Sequence, residues 1–372
     1  MTVIDADAHV EEWAETFSDK YLDPAYRGRR PEVIATETRF HWLIDGHIYP
    51  RFAGPGAHSL GTPTGAGSHK ATYTSLKTES IESLELREPA ARLVDMDREG
   101  LDLQVIYPTL FLARLSEDPA FAGALCTSYN RWLGDVLGGH ERLKWVGVVA
   151  LDDPAGAAAE VRRARELGAV GIMIPGTAGT KMLNHPSLLP FWEACAETDL
   201  AVAVHVAWSC PPLNQMFDQL YYATLIPFVF PVLMGFITFL GGGLLDRFPT
   251  LRVGFFEASC QWLHFLIDRM DHRYDFVQKV GGGVGAAQLE ARRMPSEYLR
   301  DGQIYVSGEV EDALLPQAIE LLGEDQFMFA SDMPHADREP FATRELLERK
   351  DIPATAARKI LDANPRRFYR LP

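Results

Sequence analysis

Short apolar runs separated by amphipathic stretches recur eight times along this 372-residue chain. The runs are Val3–His9, Leu101–Thr109, Leu143–Leu151, Ala169–Pro175, Ala201–Ala207, Leu251–Glu257, Gln303–Ser307 and Phe327–Asp332. Between them lie helical patterns such as Pro154–Leu167, Ser187–Thr198, Gln261–Val277, Asp312–Leu322 and Ala354–Asn364. Asp153-Pro154 and His185-Pro186-Ser187 supply proline or a small polar group where helices start. Strand-then-helix repetition predicts a parallel sheet, and eight repeats over this length fit a closed (β/α)8 TIM-type barrel better than an open sheet. No G-x-G-x-x-G follows the first strand, so a dinucleotide-binding sheet lacks its main support. The triplets Gly241–Gly243 and Gly281–Gly283 read as loop or helix-end glycine.

The first repeat is inflated by a segment rich in Gly, Pro, Ser, Thr and His. Within it Arg39–Tyr49 alternates like a hairpin around Asp45-Gly46, and Gly54–His69 has turn composition. Insertions after a barrel strand sit over the active face. Residues 13–78 are therefore expected to form a cap on one domain spanning 1–372.

A net charge of −15 argues against nucleic-acid partners and anionic membrane surfaces. Cys126, Cys195, Cys210 and Cys260 are far apart and read as reduced, buried thiols, and Met1-Thr2-Val3 runs straight into the first strand with no secretory leader. A cytoplasmic protein is the expectation. Tyr221–Leu245 carries no charge and is long enough to span a bilayer, but contains Pro227 and Pro231, ends in three glycines and lacks basic flanks. It is expected to be buried helix that walls an apolar pocket, packs on a second subunit of a homodimer or larger homo-oligomer, or both.

Barrel chemistry sits at the C-terminal strand ends, and polar residues gather there. The first strand reads Asp5-Ala6-Asp7-Ala8-His9-Val10-Glu11. Alternation turns its four polar side chains to one face, about 6.5–7 Å apart along the backbone. The fifth run ends in His205, the sixth in Glu257, the seventh in Ser307-Gly308-Glu309 and the eighth in Ser331-Asp332. Singly these have bland readings: His205 as a satisfied core histidine, Asp332 as a helix cap, Glu257 and Glu309 as solvated acids. Five such endings on one rim point instead to a metal or proton-transfer site.

The whole pattern resembles the amidohydrolase superfamily, in its amidohydrolase-related branch (amidohydrolase family 2), which includes aminocarboxymuconate-semialdehyde decarboxylase-like enzymes. The resemblance is carried by Asp5–Glu11, His205, Phe256-Glu257-Ala258 with Trp262, Ser331-Asp332-Met333-Pro334-His335 and the closing Asn364-Pro365-Arg366-Arg367-Phe368. It implies a divalent metal on Asp7, His9, His205 and Asp332, with Glu257 at the strand-six position. Two departures stand out: Asp7 replaces the commoner first histidine, and Glu257 replaces the usual strand-six histidine. An aspartate ligand favours zinc, iron or manganese. The fourth run, Val170–Pro175, offers no bridging lysine or glutamate, so one ion is the default, although Asp7 and Glu257 leave room for a second.

The resemblance implies two chemistries. The expectation stated first is hydrolysis of an amide, ester, thioester or similar carbonyl bond in a largely hydrophobic small molecule. The ion activates water, Asp332 moves its proton, and His205 and Glu257 complete the centre. The alternative is non-oxidative decarboxylation of an aromatic or unsaturated acid, in which Asp332 protonates carbon. That route calls for a cationic anchor, for which Arg114 and Arg51 are candidates, and the many acids near the site weigh against it. A barrel that only binds ligand is a third reading, disfavoured because every expected ligand position is filled. Trp208, Glu309 and His335 are candidate substrate contacts. Met216, Phe217, Tyr221 and Tyr222, with Trp42, Tyr49 and Phe52 of the cap, are candidates to enclose a greasy pocket.

Overall fold

The computed structural model describes residues 2–36, 40–51, 53–58, 79–280, 289–335 and 338–372. Eight strands form a nearly closed barrel, each paired in parallel with the next: β1 Ile4–Val10, β2 Leu103–Pro108, β3 Leu143–Val148, β4 Gly171–Pro175, β5 Ala201–His205, β6 Val253–Phe256, β7 Ile304–Gly308 and β8 Phe327–Phe329. All eight apolar runs of the sequence become strands. β8 is only three residues long, so the seam to β1 closes beyond its end. There the Asp332 N–H donates to the Asp7 carbonyl (3.1 Å) and the His9 N–H to the Met333 carbonyl (2.6 Å). One carboxylate oxygen of Asp5 accepts from the Ser331 N–H (2.9 Å), the other from the Ser331 hydroxyl (2.6 Å) and the Gln104 amide (2.8 Å). Asp5 thus staples β1, β2 and the β8 end together, and burial pushes its carboxyl up to about 7 despite those bonds. The β1–β2 register shifts between Asp5 and Ala8, so the alternation inferred for the first strand contains an irregularity.

Helices Pro119–Val136 and Pro154–Glu166 start as local chemistry dictates. The Asp118 side chain accepts from the Ala120 N–H and the Asp153 side chain from the Gly156 N–H, both at 3.1 Å, with proline at the first helical position. The single helix predicted over 354–364 is instead Ala354–Arg358, one π-helical stretch Lys359–Ala363, and Asn364–Tyr369. Pro365 has no N–H and its ring crowds the preceding turn, which the wider π turn relieves. The Asn364 amide then donates to the Glu324 and Phe327 carbonyls (2.8 and 2.7 Å), tying this helix to β8. At its far end the Tyr369 hydroxyl donates to the Ala6 carbonyl in β1 (2.7 Å).

The uncharged segment folds as two helices, Leu220–Leu225 and Phe230–Gly241. By length and hydropathy Leu220–Gly241 could cross a membrane, yet half of it is buried against the barrel. Gly176, just past β4, permits that contact: a Cβ there would lie 1.7 Å from the Pro231 carbonyl oxygen. The two backbones touch, which only glycine allows.

The described part of the insertion holds a three-stranded antiparallel sheet, Glu32–Ala35, Phe40–Ile44 and His47–Tyr49. The expected hairpin turn is present, with Asp45 and Gly46 both at positive φ (50° and 80°). The insertion meets the barrel's C-terminal loops, where the Tyr49 hydroxyl donates to the Arg114 carbonyl (3.1 Å) and the Gly54 N–H to the Asp218 carbonyl (2.9 Å). Most of the Gly54–His69 turn, Phe52 and the Gly281–Gly283 triplet lie outside the described residues.

Candidate metal centre

Four barrel-strand ends converge on one point. His205, the last residue of β5, places Nε2 3.2 Å from Asp7 Oδ2 and 3.2 Å from Glu257 Oε2. His9 Nε2 lies 3.5 Å from Asp7 Oδ1, 3.6 Å from Glu257 Oε2 and 3.4 Å from Asp332 Oδ1. The backbone fixes both rings. His9 Nδ1–H donates to the Pro108 carbonyl and His205 Nδ1–H to the Val206 carbonyl, each at 2.9 Å. A carbonyl can only accept, so Nδ1 carries the proton and Nε2 presents a lone pair to the centre. Burial, with His335 and His205 nearby, holds the His9 imidazole well below its usual pKa and so neutral.

Asp7 and both histidines are buried, yet neither Asp7 oxygen nor either Nε2 has a hydrogen-bond partner. Burial also pushes the Asp7 carboxyl upward, an effect that His205 opposes and Asp332 reinforces. An unsatisfied buried polar atom costs about 1–3 kcal/mol, and more when charged. Four such atoms converging within hydrogen-bond range of one another fit a cation. Asp7, His9, His205 and Glu257 each offer an atom within 4.8 Å of the others, as do His9, Glu257, Asp332 and His335. Hard carboxylate and imidazole donors suit a divalent transition ion.

Glu257 and Asp332 sit one and three residues beyond their strands, both left-handed, at φ 55° and 53°. Such strain is characteristic of functional sites and persists only where surrounding bonds impose it. Here the Glu257 N–H donates to the Ser307 hydroxyl (3.1 Å) and the Asp332 N–H closes the barrel seam.

Asp332 leads outward to a second group. His335 Nδ1 lies 2.7 Å from Asp332 Oδ1, and its Nε2 is bonded to the Thr109 hydroxyl at 3.1 Å. Thr109, which fixes this ring, was not singled out from sequence. It closes the second apolar run as a polar residue, the same signal that marked the others.

The centre opens into a cavity of about 280 Å³ lined both by acids and by Leu112, Trp208, Phe228 and Val229. Trp208 stacks on Phe228 at 4.1 Å between ring centroids, and its indole N–H donates to the Ala223 carbonyl (2.9 Å). Glu309 also lines this cavity; burial, reinforced by Asp312, Glu311 and Asp332, pushes its carboxyl up to about 7.

Several expectations are corrected. Met216, Tyr221 and Tyr222 are 70%, 72% and 46% exposed and turn outward, because Phe228 and Val229 take the inner positions. Trp42 is buried against Phe17 within the insertion and Tyr49 where the insertion meets the barrel loops, and among the described residues none of the insertion lines the metal cavity. Glu11, which alternation puts on the same face as Asp7 and His9, is buried just past β1 with its N–H donating to the Leu84 carbonyl (2.9 Å), and it does not line the cavity. Arg114 is held by Glu117 (2.6 Å) and Asp152 (3.0 Å) outside the cavity lining, and Arg51 is exposed. The arginine that does line the cavity is Arg338, bound to both oxygens of Glu99 (2.8 and 2.5 Å).

Comparison with known proteins agrees with this geometry. The chain is 24% identical over 287 residues to the 2-amino-3-carboxymuconate-6-semialdehyde decarboxylase of Dictyostelium discoideum, covering 76% of this chain and 77% of that protein. An amidohydrolase structure from Mycobacterium avium subsp. paratuberculosis superposes with a TM-score of 0.79 at 20% identity, covering 99% of each chain. The 5-carboxyvanillate decarboxylase of Novosphingobium aromaticivorans, solved with manganese and 4-hydroxy-3-methoxy-5-nitrobenzoic acid, superposes with a TM-score of 0.71 at 21% identity, covering 100% of this chain and 96% of that one. The family profile described as Amidohydrolase matches residues 4–371, from the start of β1 almost to the last residue. A barrel of this topology, a cluster of divalent-metal ligands on its rim and a match of that extent make the chain a member of the amidohydrolase family.

Proposed function

We propose that this enzyme catalyses the metal-dependent, non-oxidative decarboxylation of an aromatic or unsaturated carboxylic acid. The observation that carries the reading is the placing of Asp332 beside His9 and His335 in a cavity that the stacked pair Trp208–Phe228 also lines. A stacked aromatic surface and a carboxyl group in one cavity suit a planar substrate that must receive a proton on carbon. The decarboxylases to which the chain is similar support the same chemistry.

Asp7, His9, His205, Glu257 and Asp332 would hold one divalent ion, with manganese the first candidate from the structural relative. A single ion is the reading the donor set favours, since both candidate quartets draw on His9, whose Nδ1 is committed to the Pro108 carbonyl. When bound, the ion supplies Lewis-acid polarisation of the substrate's oxygen atoms. Asp332, protonated from solvent in each cycle, would deliver that proton to the ring or vinyl carbon, where the electron pair of the breaking carbon–carboxylate bond forms the new C–H bond and carbon dioxide leaves. His335, held by Thr109, keeps the Asp332 carboxyl aimed into the cavity. Trp208 and Phe228 orient the substrate's plane and exclude water from that carbon. The occupant is a small molecule, and the insertion is a cap over the loops beside the cavity.

Hydrolysis stands as the second reading because of the acids. Glu309, Glu311 and Glu339 line the cavity, and Arg338 is committed to Glu99 and Glu79. The test is incubation of manganese-loaded protein with hydroxybenzoic acids, unsaturated acids, esters and thioesters in D2O and in 18O-labelled water. Deuterium on the product carbon with release of carbon dioxide supports decarboxylation. 18O in a newly released carboxylate, with no deuterium on carbon, overturns it in favour of hydrolysis.

A further inference from the structure

Beside the metal cavity, on the same rim, lies a second recess of about 100 Å³. It is built from the segments that follow β2, β3, β4 and β5, strands that contribute only His205 to the metal centre. Its walls include Leu115, Val148, Leu151 and Met173, and it shares Leu112 and Trp208 with the metal cavity. That shared wall is fixed in place: the Trp208 N–H donates to the Leu112 carbonyl (2.8 Å), and the indole is held by Ala223 and Phe228.

Most polar groups of the recess have protein partners, the Arg114 Nε being an exception. The Thr177 and Ser209 hydroxyls bond each other at 2.8 Å, and Arg114 is neutralised by Asp152 and Glu117. The Cys126 thiol is buried, and burial keeps it protonated, so it is no nucleophile. A recess of this size, whose hydroxyls bond each other and whose guanidinium is already paired with two carboxylates, offers mainly apolar surface. It can recognise an apolar group by shape. Well-packed protein interiors seldom leave such space without an occupant.

We propose that this recess is a specificity subsite that receives a short, neutral apolar substituent of the substrate, carried on the same molecule whose carboxylate faces the metal ligands. The inference rests on the decarboxylase reading and narrows it to ring-alkylated or alkenylated acids. The occupant follows from adjacency: the recess and the reaction cavity share Leu112 and Trp208, so a short substituent that passes the edge of this pair from a ring in the cavity would enter the recess.

The test pairs a hydroxybenzoic acid with its propyl-substituted counterpart and compares kcat/KM in wild type, Ala122→Leu and Cys126→Leu. Ala122 and Cys126 line the recess, and neither lines the metal cavity. Wild type should favour the propyl acid by about tenfold or more, the scale of discrimination an apolar pocket achieves. Both variants should lose that preference while keeping turnover of the unsubstituted acid. Equal turnover of the two acids by wild type, or parallel loss on both in the variants, overturns the subsite. Calorimetric titration of metal-free protein with propylbenzene decides the point without catalysis. Binding to wild type that is lost in whichever variant retains the wild-type circular dichroism spectrum supports the subsite. No binding to wild type, or equal binding to a folded variant, overturns it. If no acid releases carbon dioxide, the decarboxylase reading fails while the titration still decides whether the recess binds apolar groups.

Discussion

The rim of this barrel has two halves built on opposite chemistry. The ends of β1, β5, β6 and β8 converge carboxylates and imidazoles, and neither Asp7 oxygen nor the Nε2 of His9 or His205 has a hydrogen-bond partner. The segments after β2, β3, β4 and β5 enclose a mainly apolar recess in which the Thr177 and Ser209 hydroxyls bond each other and Arg114 is paired with Asp152. The same scaffold positions serve both, so the difference lies in which side chains end each strand. One half gathers unsatisfied buried ligand atoms and calls for an ion; the other is mainly apolar and offers surface. Trp208 and Leu112 stand between them and belong to both.

Removing the ion should expose that contrast most strongly. Chelation is expected to abolish turnover and to lower the melting temperature by several degrees, through lost mass-action stabilisation, while leaving propylbenzene affinity unchanged. Calorimetry before and after chelation checks all three. A change in propylbenzene binding as large as the change in activity would break the separation of the halves.

Asp332→Asn should cost about 10²–10⁴-fold in kcat, the usual worth of a proton-transferring group, with metal content by elemental analysis kept above half of wild type. Retained turnover would refute the assigned role. Thr109→Val removes the bond that fixes His335 and should cost about 10–100-fold in kcat, as loss of an outer orienting partner does. Thr109→Ser should restore most of it.

Glu309 supplies the smallest effect and carries a definite sign. Its carboxyl rises from about 4.5 to about 7 on folding, so between those values the folded form holds a proton that the unfolded form has lost. Its contribution to stability is therefore greatest below about pH 4.5 and is lost as pH rises through 7. Glu309→Gln should stabilise metal-free protein by about 1–2 kcal/mol at pH 8 and by almost nothing at pH 4.5. Urea unfolding at the two pH values would show it. An equal gain at both would mean that the carboxylate is not what burdens this half of the rim.

The two halves were unequally legible in the sequence. Polar residues closing apolar runs mark Asp7, His9, His205, Glu257 and Asp332, because a charge at the end of a buried strand needs a reason. The recess carries no such mark. Leu115, Met173 and Ala122 look like any core residues, and only their arrangement leaves a space. Ion-pair partners were equally hidden: nothing near Arg114 in the chain reveals Asp152, and nothing near Arg338 reveals Glu99. The eight strands could be read, since periodicity and length are local. Tyr221 and Tyr222 could not be placed, because an apolar segment does not announce which face it turns inward.

The seam has a consequence for how the protein comes to life. β1 and β8 are the first and last strands of the barrel, and their join is made by the amides of His9 and Asp332, two residues whose side chains serve the metal centre. A fragment lacking β1 loses Asp7 and His9 at once, and one lacking β8 loses Asp332 and His335, so only a closed ring brings all the candidate ligands together. The last strand to be made thus completes a centre that the first strand began.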